Sequence, residues 1–275
     1  MNRGPSGPLI MFFSVGFNPL SSIFDSSCRG SLPTVFSHNG HQERRRTMNG
    51  GSEWESLDWL ESARQLDHWI NGRNKTGRLL MVVRHSHREV IEDHSSQFST
   101  GLTELGKRMS YEMGLRLRSD RPIHLFFSFV PRCYQTAEEI ARGLNERGAE
   151  IDGMDPLAIL VMPEYTDETV WANLQPDGHN VHEFVNRWAD GEFGDKIQDF
   201  AHYTRVLIDK TIGRLRRANE PVLHVHVTHD LALMAMKRAL LGTPLRPGHR
   251  EPYLGGLAVS LDQDGETHFH IMKWE

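Results

Sequence analysis

The chain has 275 residues, enough for one large domain or two small ones, and its composition is typical of a globular protein. Its 36 acidic residues against 31 basic ones give a formal net charge of −5, which argues against a nucleic-acid-binding surface. Because Cys28 and Cys133 are its only cysteines, a disulfide framework and a cysteine-rich zinc site are excluded. A reducing, cytoplasmic compartment is therefore expected.

Residues 1–50 differ in composition from the rest of the chain. They are rich in Ser, Gly, Pro and Asn, and Asp25 and Glu43 are their only acidic residues. This composition predicts a flexible extension or, alternatively, a segment that targets the protein to an organelle. The apolar stretch 8–17 is too short to cross a bilayer, so no membrane span is expected. Met48 is a further candidate for the start of the chain.

Apolar periodicity and apolar runs predict the first elements of the domain. A helix is expected over about 52–72, a buried first strand over 79–83 and a second helix over 102–117. Gly106, Ser110 and Gly114 lie on one face of the second helix, and these small residues predict its close approach to the sheet. A second strand over 123–128 and a third helix after Pro131 follow.

The second half of the chain continues the same alternation. A third strand is predicted over 158–162, and the irregular stretch 163–194, around a short helix capped by Asn180, is expected to form a small insertion on the substrate side. A long helix over about 195–218, a fourth strand over 222–227 and a helix from about 230 to 242 come next. Two strands joined by a turn at Asp264-Gly265 complete the chain.

Strands that alternate with helices predict an α/β fold. We expect a three-layer α/β/α sandwich with a mainly parallel central sheet and a C-terminal β-hairpin. The sequence contains no internal repeat and no sign of a second core. Residues 51–275 are therefore predicted to form one catalytic domain, with 163–194 as its insertion.

Charged and imidazole side chains follow three of the predicted strands. They are Arg84, His85 and Arg88 after the first strand, Arg132 after the second, and His229 with Asp230 after the fourth. Because parallel strands end at the same edge of a sheet, we expect these side chains to share one pocket. The guanidinium fork matches phosphate oxygens, and a neutral imidazole is a nucleophile. The pattern therefore predicts phosphoryl chemistry at this edge.

Four segments carry a resemblance to a known family. They are Arg84-His85-Ser86, the helix start 102–106 (Leu-Thr-Glu-Leu-Gly), the segment 128–137 that contains Arg132, and Thr228-His229-Asp230. In this order the chain resembles the histidine phosphatase superfamily, which includes phosphoglycerate mutases and histidine acid phosphatases. The resemblance extends from about residue 79 to the end.

The resemblance implies a role for each residue of the predicted pocket. His85 would be the nucleophile that becomes phosphohistidine, and Arg84, Arg132 and His229 would hold the phosphoryl oxygens. Arg88 matches the additional arginine of the acid-phosphatase pattern. Ser86 departs from the family's glycine: its hydroxyl could contact phosphate, or the backbone here could do without positive φ.

Two carboxylates compete for the role of general acid, which would protonate the leaving group. Asp230 matches the His-Asp pattern of the acid phosphatases and is favoured, although such a residue can also be the N-cap of the following helix. Glu164 is the alternative, because the mutase-like branch uses a Glu after the third strand. The expected activity is metal-independent hydrolysis of a small-molecule phosphomonoester, without a cofactor. A mutase-like phosphotransferase and an inactive binding or scaffold protein are the alternatives.

A zinc hydrolase is the chemical rival, since the chain has 16 histidines. His224 and His226 would point to one face of the fourth strand, whereas His229 lies beyond its end, so we do not expect these three to share an ion. Substrate specificity is expected from the insertion, where Trp171 and Trp188 are candidates for pocket walls or for ordinary packing. The motifs do not indicate the oligomeric state.

Overall fold

The computed structural model describes residues 53–73, 76–91, 96–117, 120–175, 177–262 and 265–271. The predicted N-terminal extension and Asp264 of the predicted hairpin turn lie outside these residues. Within the described ranges, no helix combines the length and the apolar character that crossing a bilayer requires.

The centre of the fold is a six-stranded sheet. Its strands are β1 (Arg78–Arg84), β2 (Ile123–Phe127), β3 (Ile151–Pro156), β4 (Leu223–Thr228), β5 (Gly256–Leu261) and β6 (Thr267–Ile271). Their order in the sheet is β3-β2-β4-β1-β5-β6. The pairs β3–β2, β2–β4 and β4–β1 are parallel, whereas β1–β5 and β5–β6 are antiparallel. The predicted α/β class, the mainly parallel sheet and the C-terminal hairpin are therefore confirmed.

Helices cover both faces of the sheet. Alternate residues of β1 divide between two cores: Leu79 and Met81 pack with the first three helices, and Leu80 and Val82 pack with the others. A strand buried on both faces explains why 79–83 is a continuous apolar run. The helices are α1 (Glu61–Asn71), α2 (Glu104–Arg116), α3 (Pro131–Glu146), α4 (Val181–Ala189), α5 (Phe200–Ile208), α6 (Arg214–Arg217) and α7 (Asp230–Leu241).

The predicted third strand is wrong. Residues 158–162 contain the 3₁₀ turn Ala158–Leu160, and β3 is Ile151–Pro156. Leu160 is buried, and its carbonyl accepts a hydrogen bond from the Thr228 hydroxyl at 2.7 Å, so the apolar run belongs to the core without being a strand. The true strand lies at the sheet edge, where Asp and Gly residues are tolerated and the apolar signal is lost.

The small residues of α2 allow a close approach, but the approach is not to the sheet. A Cβ atom on Gly106 would lie 2.0 Å from the carbonyl oxygen of His87, in the loop after β1. A Cβ atom on Gly114 would lie 2.2 Å from the carbonyl oxygen of Ile140 in α3. The predicted partner is therefore corrected: α2 packs against α3 and against the loop that follows β1.

One helix boundary and one helix cap also differ from expectation. The predicted helix over 195–218 begins at Phe200, where Asp199 caps it through the His202 amide at 2.7 Å, and it contains a π-helical turn over Asp209–Gly213. The Asn180 side chain does not cap α4, because its oxygen accepts a hydrogen bond from the amide of Gln175 at 2.9 Å.

Candidate active site

The C-terminal ends of β1, β2 and β4 lie side by side at one edge of the sheet, since Arg84 at the end of β1 pairs in register with Thr228 at the end of β4. A cavity with about 680 Å³ of empty space, open to solvent, lies beyond this edge. Six of the seven predicted site residues line it: Arg84, His85, Arg88, Arg132, His229 and Asp230. The topology thus brings together residues that are up to 146 positions apart in the chain.

His85 is held in one orientation and one tautomer. Its Nδ1 lies 2.8 Å from the carbonyl oxygen of Ser86, which can only accept, so Nδ1 carries the proton. The Nε atom of Arg132 donates to Nε2 of His85 at 3.2 Å, so Nε2 has a lone pair. Burial lowers the pKa of His85 well below its usual value, and the charges of Arg132 and Arg84 lower it further. At neutral pH the ring is therefore neutral, with Nε2 available.

His229 has the opposite tautomer. A terminal nitrogen of Arg132 donates to Nδ1 of His229 at 3.0 Å, so the ring proton is on Nε2 and is donated to the Ser128 hydroxyl at 2.8 Å. Burial is the main cause that lowers the pKa of His229 well below its usual value, and Arg132 adds to it. The guanidinium of Arg132 therefore bridges two neutral imidazoles, whose ring centres are 5.5 Å apart.

Three guanidinium groups line the cavity. Arg84 donates to the carbonyl oxygen of Glu251 at 3.0 Å and stacks on the ring of Tyr253, with its Cζ 4.4 Å from the ring centre. Arg132 also donates to the carbonyl oxygen of Gln97. Arg88 is half-buried and completes the set. With three cations against two carboxylates (Asp177 and Asp230) on its wall, the cavity is suited to an anion with several oxygen acceptors.

Asp230 is the first residue of α7, and its carboxylate is fully engaged. Oδ1 accepts from the amide of Leu231 at 3.0 Å, and Oδ2 lies 3.1 Å from both Arg84 and Arg250. The N-cap position of α7 belongs to His229 instead. Burial raises the pKa of Asp230, but Arg84 and Arg250 together outweigh burial, so the pKa lies below its ordinary value. Asp230 is therefore a carboxylate in the free protein.

Glu164 is not brought to the cavity. It is exposed and does not line the cavity wall, and its carbonyl accepts from the amide of Gln198 at 2.8 Å. The expectation that it follows the third strand depended on the misplaced strand. Of the two candidate acids, only Asp230 lines the same cavity as His85.

Ser86 acts through the backbone, not toward the cavity. Its hydroxyl donates to the carbonyl oxygen of Gly106 at 2.8 Å, and its amide donates to the Thr136 hydroxyl at 3.0 Å. Among the described non-glycine residues, positive φ occurs only at Leu254, so Ser86 does not need the freedom of glycine.

The sequence did not point to Arg250, which joins the insertion to the site. Besides Asp230, it contacts the carbonyl oxygen of Asp177 and, at 3.3 Å, Nδ1 of His179. Arg250 lies in an irregular loop, so no periodicity marks it. The insertion itself contributes Trp171 to the cavity wall, whereas Trp188 is buried in the core.

The described side chains that converge closely enough to hold a metal ion are outside the cavity. Asp262, Glu266 and His268 place ligand atoms within 4.8 Å of one another near the β5–β6 turn. His224 and His226 lie along β4 and do not line the cavity either. The cavity wall therefore supplies histidine and arginine, together with the carboxylates of Asp177 and Asp230.

The fold and the residues at the strand ends define a class of protein. A sequence profile described as the histidine phosphatase superfamily (branch 1) matches residues 80–274. The chain therefore belongs to the histidine phosphatase superfamily. No match was found among curated proteins.

Several solved structures are similar. YhfR from Bacillus stearothermophilus has 18% sequence identity and a TM-score of 0.47, and the match covers 70% of this chain and 96% of that one. A phosphoglycerate mutase from Bacillus anthracis strain Sterne has 14% identity and a TM-score of 0.49, with 72% and 93% covered. A mycobacterial glucosyl-3-phosphoglycerate phosphatase in complex with inorganic phosphate has 18% identity and a TM-score of 0.43, with 72% and 96% covered.

Proposed function

We propose that the protein hydrolyses small phosphomonoesters through a covalent phosphohistidine on His85, without a metal ion. One observation carries this proposal: the unprotonated Nε2 of His85 faces a cavity lined by Arg84, Arg88 and Arg132. A neutral imidazole among fixed cations combines a nucleophile with a binding site for the phosphoryl oxygens.

In the first step, the Nε2 lone pair of His85 attacks phosphorus while the ester P–O bond breaks and its electron pair leaves with the alcohol oxygen. Arg132 gives up its contact with Nε2 and donates to the phosphoryl oxygens instead. In the second step, water attacks the phosphohistidine, the N–P bond breaks and its electron pair returns to Nε2. Inorganic phosphate is released.

Asp230 is the proposed proton donor to the leaving alcohol and then the base for the attacking water. Because it is ionised in the free protein, it must become protonated once substrate is bound. A phosphoryl anion beside Arg84 competes for that cation and repels the carboxylate, and both effects raise the proton affinity of Asp230. The location of Glu164 outside the cavity supports the choice of Asp230.

The test compares three variants on a good leaving group, 4-nitrophenyl phosphate, and a poor one, an alkyl phosphate. We expect His85→Asn to abolish turnover and Asp230→Asn to slow the alkyl phosphate selectively, by roughly 10² to 10⁴. Glu164→Gln is the matched carboxylate control and should behave as wild type. The wild-type enzyme, quenched in base during turnover, should carry a phosphohistidine.

The outcomes separate the alternatives. Wild type that releases no phosphate from any monoester of a broad panel indicates a binding or scaffold protein. Wild type that transfers the phosphoryl group to a second hydroxyl of the substrate faster than to water indicates a mutase. If Glu164→Gln, and not Asp230→Asn, slows the alkyl phosphate, the assignment of the acid is wrong.

A further inference from the structure

A completely buried ion pair lies behind the proposed site and has no part in the mechanism above. Nζ of Lys237, in α7, is 2.7 Å from Oε1 of Glu251, and both side chains are 0% exposed. Oε2 of Glu251 accepts from the hydroxyl of Ser62, in α1, at 2.8 Å, and Nζ also donates to the carbonyl oxygen of His249 at 3.1 Å. The network therefore ties α1 and α7 to the loop before β5.

Stability alone is a poor reason for such a pair. The desolvation of two charges offsets much of their mutual attraction, so apolar side chains of similar volume are often equally stabilising or more so. A buried pair is better understood by what it holds in place. Here it holds the segment 251–255, which is also the segment that contacts the end of β1.

Segment 251–255 holds Arg84 through three hydrogen bonds, in addition to the stacking of Tyr253. The carbonyl oxygen of Glu251 accepts from the Arg84 guanidinium at 3.0 Å. The Arg84 amide donates to the carbonyl oxygen of Gly255 at 2.9 Å, and the Arg84 carbonyl accepts from the Leu254 amide at 3.2 Å. Leu254 has φ of +58°, which is unfavourable for a branched side chain, so the surrounding contacts must impose this conformation.

We propose that Lys237 and Glu251 are positioning residues, whose ion pair anchors segment 251–255 so that Arg84 presents its guanidinium to the phosphoryl group. This inference rests on the proposed function and assigns two further residues to it. Neither side chain touches the cavity, so both act through Arg84. Without the pair, the carbonyl of Glu251 and the guanidinium that it holds lose their fixed place.

The test replaces both charges at once, with Lys237→Met and Glu251→Met in the same protein, which removes the ion pair and retains much of the volume. Calorimetry measures the Kd of inorganic phosphate, kinetics measures kcat and KM for 4-nitrophenyl phosphate, and thermal unfolding checks the fold. We expect the phosphate Kd and the KM to rise by about tenfold or more, because small displacements of binding groups have effects of this order.

A matched control removes an exposed ion pair. Asp209 and Arg217 are joined at 2.7 Å on the surface, and Asp209→Asn with Arg217→Gln should leave phosphate binding as in wild type.

If the Lys237/Glu251 double variant folds and binds phosphate as tightly as wild type, the positioning role is refuted. If it does not fold, Ser62→Ala removes one hydrogen bond to Glu251 and keeps the charges. Ser62→Ala should then weaken phosphate binding about threefold, and unchanged binding again refutes the role.

Phosphate binding also separates this inference from the proposed function. A wild type that binds phosphate but hydrolyses no monoester contradicts the proposed function, and the variants still test the role of Lys237 and Glu251 through the Kd. A wild type that binds no phosphate overturns both.

Discussion

The buried imidazole of His224 should make folding stability depend on pH. His224 lies in β4 with its ring edge toward Phe126, at 5.5 Å between ring centres, and its Nδ1 has no hydrogen-bond partner among the described residues. Burial is the main cause that lowers the pKa of His224 from 6.5 to about 4, and the charges of His124 and Arg214 contribute. The native state therefore holds this ring neutral where the unfolded chain already binds a proton.

The sign and size of the effect follow from proton linkage. Below pH 6.5 the unfolded state takes up a proton that folded His224 refuses, so stability falls as pH is lowered until the folded pKa of about 4 is reached. Each pH unit in this window costs about 1.4 kcal/mol. From pH 7.5 to pH 5.0, His224 should therefore cost the wild type about 2 kcal/mol.

The perturbation is His224→Leu, and the assay is urea unfolding at pH 7.5 and at pH 5.0 at the same ionic strength. Other buried histidines titrate in both proteins, so the difference between wild type and variant isolates His224. We expect the free energy of unfolding of the variant to rise by about 2 kcal/mol relative to that of wild type as the pH falls from 7.5 to 5.0. His202→Gln, at an exposed position of α5, is the control and should follow wild type. A wild-type-minus-variant difference that is equal at the two pH values refutes the reasoning.

Two further substitutions test the surroundings of Asp230. Arg250→Gln removes a cation that lowers the pKa of Asp230, so the basic limb of the kcat–pH profile should move to higher pH. The control Arg216→Gln, at an exposed position, should leave that limb in place. If the basic limb does not move in Arg250→Gln, the role of Arg250 is contradicted. Gly178→Ala places a methyl group 2.7 Å from Oδ2 of Asp230, so kcat should fall. Because φ at this position is +74°, backbone strain should also lower the free energy of unfolding by about 1–2 kcal/mol, measured by thermal unfolding. Gly191→Ala, at φ of +78° with nothing within 4 Å, should cost similar stability without loss of kcat; equal kcat values in the two variants would argue against the contact.

The parts of the fold that the sequence predicted correctly share a physical cause. β1, β2 and β4 lie in the interior of the sheet; β1 is apolar on both faces, and β2 and β4 are apolar on at least one, so their composition marks them. The end of each strand then locates Arg84, Arg132 and His229 without knowledge of any side-chain contact. Parallel pairing then places the ends of all three strands at one edge of the sheet.

The parts that the sequence did not predict depend on contacts between distant segments. β3 is an edge strand with polar residues, so the apolar pattern selects the run at 158–162 instead. The same error places Glu164 near the site. Arg250 reaches Asp230 from the loop that also contains Glu251, whose carboxylate is paired with the buried Lys237. No local pattern encodes such a path, because it depends on how α1, α7 and β5 meet.

The contacts of Arg132 with His85 and His229 also determine which ring nitrogens carry protons in the free site. The N–H of His85 donates to a backbone carbonyl and the N–H of His229 donates to the Ser128 hydroxyl, so neither ring offers a proton to a leaving group. Asp230 is ionised as well. In the proposed mechanism, Asp230 therefore takes up the proton for the leaving alcohol only once the phosphomonoester is bound. Proton uptake by the site and binding of the substrate are thus coupled in the proposed reaction.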